Sequence, residues 1–200
     1  MNADRRHTLL DAALRDEGMT RALYVAAAVI FGVCLLTLSA KVQVPFWPVP
    51  MTMQTLVVLM LGMAYGRWLG AATVLAYLAV GAAGFPVFAG TPQRGVGLAY
   101  MMGPTGGFLM GFLAAAWVTG VLAERGWDRS VLFSAAAMLV GTVTIFIFGL
   151  APLIASAGLQ RAVEVGLVPF LASSSLKMAL GAALMPALWY VLGGKRSVRG

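Results

Sequence analysis

Lys177 stands inside a long apolar run, LASSSLKMALGAAL, and of all the residues in this sequence it has the most to explain. A charge at mid-helix in hydrocarbon costs between about 2.5 and more than about 10 kcal/mol, so by default it marks a functional site. It lies about nine residues into its segment, roughly 13 Å from the outer end at a rise of about 1.5 Å per residue. That is too deep for easy snorkelling. The acids Asp4, Asp11, Asp16, Glu17, Glu124, Asp128 and Glu164 all fall in tails or connections, so none is placed to neutralise it. Two chemistries remain. The lysine is either structural, held by carbonyls and hydroxyls, or a cation awaiting an anionic or carbonyl-bearing ligand from outside. The missing acid favours the second. Ser173 and Ser174, four and three positions earlier, share its helix face and could bond a ligand. Serines that bond back to their own helix are the commoner case.

Four further residues could contribute. Thr52 and Gln54, with Thr55, open an apolar segment in the run PMTMQT. Gln54 offers both donors and an acceptor, while Thr52 also suits a helix N-cap. Arg94, in TPQRG, lies in an outer connection. It reads as a solvated loop base or as a clamp for a carboxylate.

What is missing narrows the function as much. The sequence holds no GxxxxGK[ST] phosphate loop, no carboxylate within an apolar segment to relay protons, and no nucleophile–base pair, because His7 lies in the polar tail. Cys34 and His7 are the single residues of their kinds, so neither a metal site built on them nor a disulfide framework is expected. No catalytic residues and no resident cofactor are predicted, and the chain is not expected to be an enzyme. A binding protein without an engine of its own remains.

The elements that must position these residues follow from composition. Of 200 residues, 60% are hydrophobic and 10% charged, against about 25% charged in soluble domains. Lipid must be the solvent for most of the chain. The sequence predicts an all-α polytopic membrane protein, a compact bundle of six transmembrane helices. Their apolar segments run over Ala22–Ala40, Thr52–Tyr65, Trp68–Gly84, Gly106–Ala123, Val131–Ala155 and Leu167–Leu192. The second segment passes through Gly66-Arg67 almost directly into the third, which predicts a tight helical hairpin. Residues 1–21 read as a cytoplasmic amphipathic segment, 22–192 as the membrane domain and 193–200 as a cytoplasmic basic tail. No cleavable signal peptide is predicted.

Two connections are too apolar for ordinary wet loops. KVQVPFWPVPM (41–51) is rich in proline and cannot be helical, and 84–107 is punctuated by glycine and proline around Phe85, Phe88 and Tyr100. Irregular backbone at membrane depth is tolerated where it is buried in protein or lines a cavity, although an interfacial aromatic belt would also account for both. The net charge of +7 does not form a stripe of the kind nucleic acid requires. With six spans, Arg5, Arg6, Arg15, Arg21, Arg67, Arg125, Arg129, Lys195, Arg196 and Arg199 fall on one side, against Lys41, Arg94 and Arg161 on the other. By the positive-inside rule both termini are cytoplasmic and both unusual loops face outward.

The blocks VPFWPVPMTMQTLVVLMLGMAYG, YLAVGAAGFPVFAG and GPTGGFLMGFLAA, in this order and spacing, resemble the BioY family, the biotin-specific substrate-binding subunits (S components) of energy-coupling-factor transporters. The resemblance covers roughly Ala22–Leu192. It implies a multi-pass protein of the bacterial inner membrane that takes up biotin with a transmembrane coupling protein and two ATPases. It further implies a pocket lined by Thr52 and Gln54, walled by Phe88 and Tyr100, and gated by a lid at Pro45, Phe46, Trp47 and Pro48. Arg94 or Lys177 would meet the valerate carboxylate, Ser173 and Ser174 would pack at the ring, and Ala22 and Ala26 would dock on the coupling protein. Lys177 matches the lysine of a D-x-x-K motif whose aspartate is Ser174 here, and Phe108 stands where a tyrosine is frequent. Without charge assistance a serine accepts hydrogen bonds about half as strongly. Another small vitamin, or a stand-alone facilitator, are the alternative readings.

Overall fold

The structure is a computed structural model describing residues 8–10, 19–44, 49 and 51–193. In chain order its elements are α1 (Met19–Lys41), the two-residue strands β1 (Gln43–Val44) and β2 (Met51–Thr52), α2 (Gln54–Ala82), α3 (Gly97–Met101), α4 (Gly106–Glu124), α5 (Val131–Ala157), α6 (Leu159–Gly166) and α7 (Phe170–Gly193). Five of the helices, α1, α2, α4, α5 and α7, are long and apolar enough to cross a membrane. The described part is thus all-helical apart from one short antiparallel ladder, Gln43 opposite Thr52 and Val44 opposite Met51. The ladder closes the proline-rich connection at its base. The lid residues Pro45, Phe46, Trp47 and Pro48, most of the 1–21 segment and the tail beyond Gly193 lie outside the described residues.

α2 is not a straight rod. Gly66 sits at φ 80°, ψ 175°, a region that residues with a Cβ essentially never enter, and the chain doubles back there. The predicted hairpin is the outcome: Gln54 bonds to Tyr77, 23 positions away, where a straight helix would separate them by roughly 34 Å. The turn is held from outside. Glu124, the last residue of α4, accepts from the Arg67 backbone N–H at 2.9 Å and from its Nε at 2.6 Å. The two arms of α2 and helix α4 form the centre of the bundle. In α4, 61% of the span is buried, against 17% in α1.

α1 packs on α2 through small residues. The Tyr65 hydroxyl donates to the Ala28 carbonyl at 3.0 Å, and Gly32 abuts Thr73. Ala22 and Ala26 point away from the bundle and are exposed. At the end of the molecule where α4 turns into α5, Asp128 is 1% exposed. Its Oδ2 accepts from Trp189 Nε1 of α7 at 2.5 Å, and Arg129 lies 4.8 Å from the Trp189 ring centre.

Some boundaries moved. Lys41 still belongs to α1, the 84–107 connection contains α3, and α6 fills the connection before the last segment. Sequence patterning missed α3 and α6 because both are shorter than the apolar runs that flank them.

Candidate functional site

The segment between α2 and α3 has no regular structure, yet each carbonyl from Phe85 to Pro92 accepts a hydrogen bond. Lys41 Nζ donates to Pro86 O at 2.7 Å, Phe88 O at 3.0 Å, Thr91 O at 3.2 Å and Thr91 Oγ1 at 3.1 Å. The Tyr77 hydroxyl donates to Val87 O at 3.1 Å. The Tyr100 hydroxyl donates to Ala89 O at 2.8 Å. Four successive carbonyls, Pro86 to Ala89, are therefore gripped from α1, α2 and α3. Unpaired backbone at this depth would cost several kcal/mol per group, and this donor set is why an irregular segment survives here. Phe88 fixes it sideways: fully buried, its ring stacks on Tyr100 at 5.0 Å and meets Tyr77 edge-on at 5.4 Å. Gly81 gives the ring its seat, since a methyl there would collide with it.

Ala89 of this braced segment, together with Tyr100, lines an open cavity that encloses about 590 Å³ when the space continuous with solvent is counted. The wall opposite is aromatic. Phe108, Phe146 and Phe170 form a triangle with ring centres 6.3 to 6.5 Å apart, and all three line the cavity. The polar lining is sparse: Thr52, Gln54 and Thr55 from the start of α2, Tyr100 and Thr105 near the α4 entry, Thr142 of α5, and Ser174 and Lys177 of α7. Among the described residues no carboxylate lines it. The Lys177 ammonium donates to Thr55 Oγ1 at 3.2 Å and keeps further donors for the cavity.

The structure therefore brings together Thr52, Gln54, Tyr100, Ser174 and Lys177, which lie far apart in sequence. Thr52 Oγ1 also accepts from the Gln54 backbone N–H at 3.3 Å, so it serves the helix start as well as the lining. Phe88 stands behind the lining rather than in it, supporting Tyr100. Arg94 is not a lining residue; its aliphatic stem packs on Gly90, and its charge bears on the Tyr100 hydroxyl. Ser173 is not in the lining either, and its hydroxyl is buried without a partner among the described residues. Ser175 bonds back to Leu171 O at 2.9 Å.

Sequence reading gave no role to Thr105, Thr142, Phe146 or Phe170. A threonine inside the apolar α5 segment is a weak flag, but nothing in the sequence separates Phe146 and Phe170, which face the cavity, from Phe133 and Phe148, which face outward. Tyr77 was likewise invisible, because its partner lies in a segment with no periodicity.

Comparisons with known proteins agree with one another. The model of the BioY family matches residues 9–194. The "Biotin transporter BioY" of Rhizobium etli is 40% identical over 147 residues, covering 70% of this chain and 77% of that protein. Its namesake from Rhodobacter capsulatus is 38% identical over 136 residues, covering 66% and 70%. Among solved structures, the S-component for biotin from an ECF-type ABC transporter superposes with TM-score 0.74, covering 86% of this chain and 94% of that one. At 20% identity that likeness speaks to the fold.

Proposed function

Starting from the chain's membership of the BioY family, matched across residues 9–194, we propose that it binds biotin in the cavity beside Lys177 and imports it as the substrate-specific subunit of a transporter. The observation that carries this reading is an ammonium with one hydroxyl partner, in a cavity lined by no carboxylate among the described residues. Biotin has an apolar fused ring system and a carboxylate on a flexible chain. The ring suits the Phe108–Phe146–Phe170 triangle and the Tyr100 wall, and the carboxylate suits the ammonium through a charge-assisted hydrogen bond. Lys177 takes this role in preference to Arg94 because it lines the cavity. Thr52, Gln54 and Ser174 supply the remaining polar contacts, while Ser173 and Phe88 act from behind. The 45–48 loop closes over the ligand, its stem held by the β1–β2 ladder. The protein is a transporter and asks no bond-breaking chemistry of this site.

The finer assignments belong to the same proposal. The chain crosses the bacterial inner membrane six times, the two arms of α2 counting separately, with residues 1–21 and 193–200 in the cytoplasm. A coupling protein and ATPases supply the energy, and the exposed Ala22 and Ala26 on α1 let a partner helix approach closely. Titration of the purified chain with labelled biotin tests the core of the reading: saturable binding is expected, and its absence overturns it. Uptake by proteoliposomes holding this chain alone, without ATP, would replace the multi-subunit importer with a facilitator.

A further inference from the structure

Gln54 meets the cavity with an amide whose two ends are chemically opposite, and the hydrogen bonds behind it decide which end a ligand finds. Val87 sets the polarity of these bonds. Its carbonyl can only accept, so the Tyr77 hydroxyl spends its single proton there, at 3.1 Å. Toward Gln54, 2.7 Å away, that hydroxyl then offers lone pairs alone. An amide oxygen placed there would set lone pair against lone pair, so the amide turns its NH2 group to Tyr77. The reverse polarity would orphan the Val87 carbonyl beside a fully buried tyrosine, and buried carbonyls are rarely left without a donor. Its neighbours Pro86, Phe88 and Ala89 are all satisfied by other donors. The amide oxygen is what remains. Gln54 is a lining residue, and the hydrogen bond its side chain makes among the described residues uses Nε2.

We infer that Tyr77, although it does not line the cavity, is a positioning residue that locks Gln54 as a hydrogen-bond acceptor, so that the site selects ligands presenting an N–H donor at this wall. This rests on the proposed biotin reading, in which the ureido nitrogens are the donors. A site built to pair with an N–H rejects analogues lacking it, because the acceptor is then left unpaired. The same oxygen would repel a ligand that brings only carbonyls or ether oxygens to this wall.

The test is a set of biotin titrations on the full chain in detergent, with Tyr77→Phe, Gln54→Ala and the double variant, each with its Tm recorded. Tyr77→Phe should weaken biotin about tenfold, as expected for losing the orientation of one buried hydrogen bond. In the Gln54→Ala background it should add less than about twofold, because its effect runs through that amide. A cyclic-carbonate analogue, with oxygens in place of both ureido N–H groups, should bind more weakly to the wild type and be insensitive to Tyr77→Phe. Losses that add in the double variant, or equal losses for biotin and the carbonate, overturn the inference and leave Tyr77 a packing residue. Should Tyr77→Phe fail to fold, Gln54→Glu, which offers acceptors only, is expected to keep more affinity than Gln54→Leu; the opposite order overturns it. Wild type that binds no biotin at all sinks the functional reading itself, whereas wild type that binds and Tyr77→Phe that binds equally well sinks only this inference.

Discussion

Two lysines of the bundle illustrate opposite uses of the same side chain. Lys41 ends α1 and reaches four oxygens of the 86–91 segment, so its ammonium is saturated. Lys177, the eighth residue of α7, has one hydroxyl at 3.2 Å and an open cavity before it. Neither has a carboxylate among the described residues to which it is bonded. By contrast, at the far end of α4, Arg67 does pair with Glu124. The number of acceptors met, and not charge, separates the two lysines. An ammonium carries three donors; where the protein uses all of them the cation is a fastener, and where it uses one the cation is kept for something else.

This contrast breaks first at Lys177. Replacing it with methionine should lower biotin affinity by about 100-fold, the scale of a charge-assisted hydrogen bond lost inside a cavity. Folding should not suffer, because the substitution removes an intramembrane charge. Titration together with a thermal melt checks both halves. A variant that binds normally but melts lower would make Lys177 the fastener and end the contrast.

Lys41→Met is the reciprocal experiment and a smaller effect. It leaves the Pro86, Phe88 and Thr91 oxygens to find other donors at a partly wet edge, for a loss of about 1–2 kcal/mol, or roughly 2–8 °C in Tm for a chain of this size. Affinity corrected for the folded fraction should fall less than about tenfold, and Lys41→Arg should restore part of the Tm. An affinity loss at Lys41 as large as that at Lys177, with Tm unchanged, would mean that both ammonium groups face the ligand.

The contrast also marks how far the sequence could be read. Lys177 stands out by residue type alone, since charge within an apolar run is rare, and the Gly66-Arg67 hairpin follows from spacing. The aromatic triangle and the carbonyl-bonding tyrosines do not, because phenylalanine and tyrosine are equally welcome against lipid and against a ligand. Lys41 reads as an ordinary loop base for a related reason: its acceptors are backbone carbonyls in an aperiodic segment, and carbonyls have no letter in the sequence. Arg94 fails the other way. Its type and loop position suggest a clamp, yet the fold places it off the lining. Helices and single odd residues are legible, whereas irregular segments that fold onto them are not.

Asp128 sharpens the rule because it satisfies part of it. It is 1% exposed, one oxygen accepts from Trp189 and the other, Oδ1, has no partner among the described residues. Spare capacity alone would mark it as functional; the difference from Lys177 is that it lines no described cavity. Burial raises its carboxyl above the ordinary aspartate value, against the opposing pull of the Trp189 hydrogen bond. The folded chain thus holds this proton to higher pH than the unfolded chain does. Between the two values stability rises as pH falls, and above both the ionised group is a constant penalty. Asp128→Asn keeps an acceptor for Trp189 and removes the charge. It should leave biotin affinity within about twofold, hold or slightly raise Tm at neutral pH, and flatten the rise of Tm on mild acidification. A large loss of affinity would show that an unsatisfied buried charge signals function in this fold even without a cavity beside it, and the argument from Lys177 would have to be made on other grounds.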